Sequence, residues 1–153
     1  MSAIAAAATL AEMSGWTLSN LQIQKLLYLA QMLHVGERGG EPIFPEDFEA
    51  WKLGPVQPEV YRRAKMFGSK PVESFFTNER LPAGTGRDFI ARTLEELPDR
   101  RPWRLVAITH WDGGAWAKNY EDGDFGCVIP KGDILAEYQA RVAAQDAKAV
   151  AAG

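Results

Sequence analysis

Residues 21–31 read LQIQKLLYLAQ, and residues 48–61 read FEAWKLGPVQPEVY. The first stretch predicts a helix with apolar residues on almost every side. Leu26, Leu27, Ala30 and Leu33 make its main stripe, and Leu21, Tyr28, Leu29 and Met32 widen it beyond one contact face. A soluble protein builds such a helix only where other elements surround it. This is therefore read as the central helix of the fold. Ser19 and Gln22 have capping-box spacing at its start. Its expected end is near His34, with Gly36 as the stop.

The second stretch predicts extended chain that turns at Gly54-Pro55 and enters a helix at Pro58, where a missing N–H costs nothing. Just before it, Ile43-Phe44 are expected to pair with Phe48-Glu49-Ala50-Trp51 as a short hairpin across Pro45-Glu46-Asp47. Beyond Pro58, Val60, Tyr61, Ala64 and Phe67 recur at helical spacing, with Arg62, Arg63 and Lys65 off that stripe. Residues 69–86 read as a long polar surface loop.

Further helices are expected at residues 3–13, ending at Gly15, and at 85–97, capped by Thr85 with Asp88 and burying Phe89, Ile90, Leu94 and Leu97. Shorter ones are expected at 103–109 and 115–120. Cys127-Val128-Ile129 suggests a third strand, and a last helix opens at Pro130 or Gly132. The predicted class is mainly α: a single helical bundle around a buried central helix, with a small β-hairpin. Residues 1–142 form the domain. Residues 143–153 are an alanine-rich tail with little to bury, expected to fray.

Composition narrows the function classes. The chain has 153 residues, 46% of them hydrophobic, enough for one core. A net charge of −3 and a pI of about 5.4 oppose a nucleic-acid binder as the default reading. One cysteine permits no intrachain disulfide, as suits a reducing cytoplasm. No run approaches the ~20 apolar residues of a membrane span. The alanine-rich start lacks the basic region of a signal peptide and reads as helix.

No catalytic constellation emerges. His34, His110 and Cys127 are the obvious base, nucleophile or soft-metal candidates, and no two have chelating spacing. His34 reads as a partly exposed residue at a helix end, and Cys127 as a small buried hydrophobe. His110 and Asp112 could form a base and its orienter, but near-adjacent residues on a turn rarely face each other. Asp122-Gly-Asp124 resembles the start of a calcium loop, yet no glutamate completes it. Arg62, Arg63, Lys65 and Lys70, with Arg100, Arg101 and Arg104, make the best basic patch, either a solvated face or a contact for a phosphate backbone or an acidic protein partner. Five tryptophans are many for this length. About half are expected in the core, and exposed ones would be interface anchors.

Taken in order, 21–31, 48–61 and 105–116 (LVAITHWDGGAW) resemble the Panacea domain, a family of bacterial and phage antitoxins that neutralise unrelated toxins by binding them. The residues that carry the likeness are Gln24, Lys25, Tyr28, Gly54, Pro55, Tyr61, His110 and Trp116, expected to be structural. The departure is Gly113-Gly114, where a proline before the tryptophan is expected. The resemblance, which is greatest to the family's SocA-like members, implies a cytoplasmic, non-enzymatic antitoxin without a cofactor. It implies a cognate protein toxin (SocB-like) as partner and the ClpXP protease as the recipient of that toxin, with no nucleic acid or membrane involved. The interface residues read from this are Trp51, Lys52, Gln57, Arg62, Arg63 and Trp111. The other readings are toxin sequestration without proteolysis, a DNA-binding regulator with the hairpin as a wing, and a small hydrolase using His110 and Asp112.

Overall fold

The computed structural model describes residues 1–74, 77–123 and 126–152, with side chains up to Asp146. The central helix is α2, Asn20–Glu37, which follows α1, Ala3–Met13. Thirteen of its eighteen residues are buried, so it is enclosed on all sides as its sequence demands. The Ser19–Gln22 capping box forms in both directions. Around α2 pack α1, α3 (Pro58–Ala64), α4 (Thr85–Glu96), α5 (Pro102–Thr109) and α7 (Lys131–Ala152). Leu26, Leu27, Tyr28 and Ala30 have no solvent exposure. A five-residue helix, α6 (Ala115–Asn119), joins α5 to the last strand. The mainly α class with a small sheet is what the sequence predicts.

α1 ends as expected. Gly15 takes a left-handed φ of +74°, and the Trp16 N–H returns to the Ala11 carbonyl. α2, however, runs past Gly36 to Glu37. The ring of Tyr138 on α7 lies against Gly36, and a Cβ there would sit 2.1 Å from Tyr138 Cγ. Gly36 is a packing glycine rather than a helix stop. Alanine would gain about 1 kcal/mol in helix propensity. Displacing the ring costs about 1–3 kcal/mol. Gly36→Ala is thus expected to lower the melting temperature in the wild-type background and to leave it unchanged or raise it in a Tyr138→Ala background. Equal effects in the two backgrounds would disprove the contact.

The sheet corrects the expected hairpin. β1 (Phe48–Trp51) pairs antiparallel with β2 (Gly54–Val56) and with β3 (Cys127–Ile129), in the order β2-β1-β3. The turn is Lys52-Leu53, closed by the Trp51/Gly54 pair, so Gly54-Pro55 belong to a strand rather than a turn. Ile43 and Phe44 are buried but not in the sheet. Gln31 on α2 takes their backbone instead: Ile43 N–H donates to Gln31 Oε1 (2.8 Å) and Gln31 Nε2 donates to the Phe44 carbonyl (3.0 Å). A backbone satisfied by a side chain needs no strand partner.

Three local expectations change for similar reasons. α4 starts after Gly84 without a side-chain cap, because the Thr85 hydroxyl faces His34 Nε2 at 2.9 Å. His34 is buried rather than a half-exposed helix end, and its Nδ1 donates to the Glu41 carbonyl. The stretch before α4 is not purely surface, since Val72 and Leu81 reach the core. Cys127 is half-buried on β3. None of the five tryptophans is fully buried, and Trp103 is 61% exposed. α7 continues through Ala152, with Val142–Asp146 exposed, while the side chains of residues 147–153 in the alanine-rich tail lie outside the described residues. Asp124 of the calcium-like run also lies outside them. Among the described residues no helix is long and apolar enough to cross a membrane.

Candidate partner-binding site

The residues carrying the family likeness, Tyr28 apart, converge where α2 meets the hairpin. Along one face of α2, Gln24 and Gln31 stand two turns apart and hold the chain on both sides of the hairpin. Gln24 does for Gln57 what Gln31 does for Ile43 and Phe44: Gln57 N–H donates to Gln24 Oε1 at 2.7 Å. Between these two clamps, the buried Lys25 Nζ donates to the Pro55 carbonyl at 2.9 Å. Gly54 makes that approach possible. Its φ of +116° is left-handed, and a Cβ would lie 3.1 Å from both Lys25 Nζ and Thr109 Oγ1.

The other side of the hairpin is held by aromatic rings. His110, which caps α5, stacks flat on Trp116 of α6, with ring centroids 3.8 Å apart at 4°. Trp116 stacks in turn on Tyr120, and its Nε1–H donates to the Trp51 carbonyl at 2.6 Å. Burial, and then the charge of Lys25, push the His110 pKa down, against a hydrogen bond with the Leu53 backbone. His110 Nε2 is buried without a hydrogen-bond partner among the described residues. No hydrogen bond joins His110 to Asp112, which is exposed, so the base-and-orienter pair of the hydrolase reading does not assemble. Among the described residues no three His, Cys, Asp or Glu are grouped to hold a metal.

Tyr28 belongs to a second buried cluster. Its hydroxyl donates to Glu137 Oε1 on α7 at 2.6 Å. The same oxygen accepts the Ala115 N–H at 2.9 Å, and Arg141 bonds the other oxygen. Burial and the facing Glu137 carboxylate push the Tyr28 pKa up, so the hydroxyl remains a donor. Gly114 stands where the family pattern suggests proline nearby. A Cβ on it would meet Glu137 Oε1 at 2.9 Å, so glycine leaves room for the carboxylate. Glu137 was not among the residues singled out by sequence. Its signal is an acid one turn beyond Ile134 on the buried face of α7, four residues before Arg141.

Beside the hairpin lies an apolar groove of about 530 Å³. Leu21, Trp51, Leu53, Val56 and Tyr61 supply its apolar lining, Lys52 and Lys65 its charge, and the buried Lys25 lies in its floor. Trp51 meets Tyr61 edge to face at 4.8 Å. Its indole N–H donates to Glu49. Leu53, at the turn, is 54% exposed.

The interface residues read from sequence are not one patch. Trp51 and Lys52 line the groove. Gln57 does not present a surface: it is fully buried, its Oε1 caps α3 through the Val60 N–H, and its Nε2 donates to the Asp47 carbonyl. Arg62 and Arg63 are exposed on α3, outside the groove, with Arg62 in a long 3.6 Å pair with Glu59. Trp111 lies in another depression, between the end of α2, α4 and α7, under the Arg141 guanidinium at 4.8 Å. Charges there are matched internally, since Arg92 forks onto Glu37 and also bonds Glu96.

The family described as "Antitoxin SocA-like, Panacea domain" matches residues 23–117, which hold all the convergent residues on α2, the hairpin, α5 and α6. The chain belongs to this family. It is similar to Antitoxin SocA of Caulobacter vibrioides (strain NA1000 / CB15N), 33% identical over 110 residues. The alignment takes in 65% of this chain and 58% of that relative, so it spans less than two thirds of the relative's length. No solved structure matches the chain.

Proposed function

We propose that this protein is an antitoxin that binds a cognate protein toxin of the SocB type through the face bearing the hairpin, and that it hands the bound toxin to the ClpXP protease. The observation that carries this reading is the location of the groove. It opens beside a hairpin tip fixed from below by Lys25 and Gln24 and from the side by Trp116. A fixed tip loses little conformational freedom on binding, which favours affinity. Trp51 gives it the aromatic surface typical of interface anchors, and the exposed Leu53 adds apolar area beside it. The proteolytic route rests on the SocA-like resemblance, and sequestration is the simpler route on the same face.

The DNA-binding alternative finds less support. Of the seven basic residues in the sequence patch, Arg62 faces Glu59, Arg101 faces Asp99, and Arg100 is bonded to the Leu94 and Leu97 carbonyls. Co-expression of the tagged chain with the product of the adjoining reading frame tests the main proposal. A complex that co-purifies, and rescue of a growth arrest caused by that product, are the expected results. A harmless product that does not co-purify refutes it. Purified ClpXP should then degrade the toxin faster with the antitoxin present, and an unchanged rate leaves sequestration.

Trp51→Ala gives a residue-level check. Only the Trp51 backbone carbonyl receives the Trp116 bond, so that anchor survives the substitution. Toxin affinity should fall by about 2 kcal/mol or more, with a smaller loss of stability from the Tyr61 contact. Wild-type affinity in this variant would move the toxin off the groove.

A further inference from the structure

We propose that the groove beside the hairpin takes an acidic, apolar segment of the toxin, with a large hydrophobic side chain against Trp51 and Tyr61 and a neighbouring carboxylate on Lys52 and Lys65. This rests on the antitoxin reading and names the chemistry of its partner. The argument is one of charge placement. The chain as a whole carries −3, yet the groove's lining holds the exposed Lys52 and Lys65, the buried Lys25 and no carboxylate. The depression at Trp111 sets Glu37 and Glu96 against Arg92 and Arg141, so the imbalance belongs to this groove. A separate hollow is lined by Glu46, Asp47, Glu49 and Glu59 with one arginine. The groove with its exposed lysines and the acidic hollow thus meet at the Trp51 indole, whose N–H donates to Glu49.

The two exposed lysines are also unoccupied. Lys52 and Lys65 are exposed, and neither ammonium has a hydrogen-bond or ion-pair partner among the described residues. Lys25, in the floor, is bonded to a carbonyl rather than to a carboxylate. Among the described residues no carboxylate bonds Lys52 or Lys65. A volume of about 530 Å³ lies within the range of ligand pockets and admits a few side chains. The apolar lining would supply affinity, while the lysines would reject basic segments and speed encounter with acidic ones.

The test uses the full chain, isotope-labelled for NMR, and three blocked tetrapeptides with a Leu-Phe centre flanked by aspartates, lysines or serines. The aspartate peptide is expected to shift the Trp51 indole and the amides of Lys52, Leu53 and Lys65, and to bind at least tenfold more tightly than the lysine peptide. That preference should disappear in Lys52→Glu/Lys65→Glu, whose two sites are exposed and leave the fold intact. Equal binding of the three peptides, no binding of any, or shifts centred on Trp111 and Arg141, overturns the proposal.

The same double variant should bind toxin at least tenfold more weakly. Trp103→Ala, an exposed site outside the groove, should bind normally. Wild-type toxin affinity in the double variant sinks the groove proposal and leaves the antitoxin reading standing. A wild-type chain that ignores the toxin but prefers the aspartate peptide sinks the antitoxin reading and keeps the groove's chemistry.

Discussion

Replacing Glu137 with alanine is expected to lower the unfolding free energy by about 3–5 kcal/mol, the range for removing one partner of a buried charged pair. Glu137 has no solvent exposure, and three donors depend on it. These are the Tyr28 hydroxyl at 2.6 Å, the Ala115 N–H at 2.9 Å and Arg141 Nε at 2.8 Å. Tyr28 is itself fully buried, so its hydroxyl has no ready access to solvent once the carboxylate is gone. An unsatisfied buried donor costs about 1–3 kcal/mol. Arg141 suffers less, because it also donates to the Ile108 carbonyl at 2.6 Å and lies over Trp111.

Two companion variants separate charge from hydrogen bonding. Glu137→Gln keeps an oxygen for Tyr28 and Ala115 but turns an amide toward Arg141, so its loss should be intermediate. Tyr28→Phe removes one bond and leaves the carboxylate two partners, for a loss of about 1.5–3 kcal/mol. Urea unfolding of the three variants gives the order. A loss below about 1 kcal/mol for Glu137→Ala would show that water replaces the carboxylate and that this cluster does not tie α7 to α2.

The helices were largely legible because their causes are local. The capping box at Ser19, Pro58 at the first turn of α3, and apolar residues around the whole of α2 each act within a few residues. Three misreadings involve a distant side chain, whereas the misplaced Gly54-Pro55 turn is a matter of hairpin register. Gly36 reads as a stop until Tyr138 is known to lie on it. Ile43-Phe44 read as a strand until Gln31 is seen bonding their backbone. Thr85 reads as a cap, but its hydroxyl serves His34, fifty-one residues away. Local propensity cannot rank such partners, because the competing hydrogen bonds are chemically alike.

The site divides in the same way. Its residue types were visible as a family likeness, and α2 places Gln24, Lys25 and Tyr28 together by helical spacing alone. Their targets were not visible. Gln24 and Gln31 recur every seven residues on one helix face, a pattern that could have been read as a pair of clamps. Gln57 follows the hairpin and precedes Pro58, so its role as a cap was open to the same reasoning that placed the proline. Glu137 had only a weak signal, and Trp111 was joined to Trp51 by residue type rather than by position.

Lys25 should make stability depend on pH in a window where few other groups titrate. Burial pushes its pKa from 10.5 down to about 7. The lowered value means that the folded state disfavours the ammonium. Between about pH 7 and 10.5 the unfolded chain holds a proton on this lysine that the folded chain has released, so stability rises with pH across that window. Below about 7 the lysine is charged in both states and the penalty is complete. The full span corresponds to on the order of 5 kcal/mol.

Lys25→Met isolates the effect. It removes the titrating group and leaves the Pro55 carbonyl without its donor, a loss of about 1 kcal/mol that does not change with pH. Unfolding free energies of wild type and variant, measured from pH 6.5 to 10, should therefore converge and then cross, with Lys25→Met losing its relative advantage as pH rises. His110 is the charged neighbour that could confuse the result, since the two groups repel when both are protonated. Its own pKa is pushed down from 6.5, so its contribution falls below this window. Thr109, the other polar side chain near the ammonium, does not titrate. A difference that stays flat across the range would mean that Lys25 keeps an ordinary pKa when folded. The Pro55 carbonyl and nearby solvent would then hold the charge under the hairpin without the penalty that burial implies.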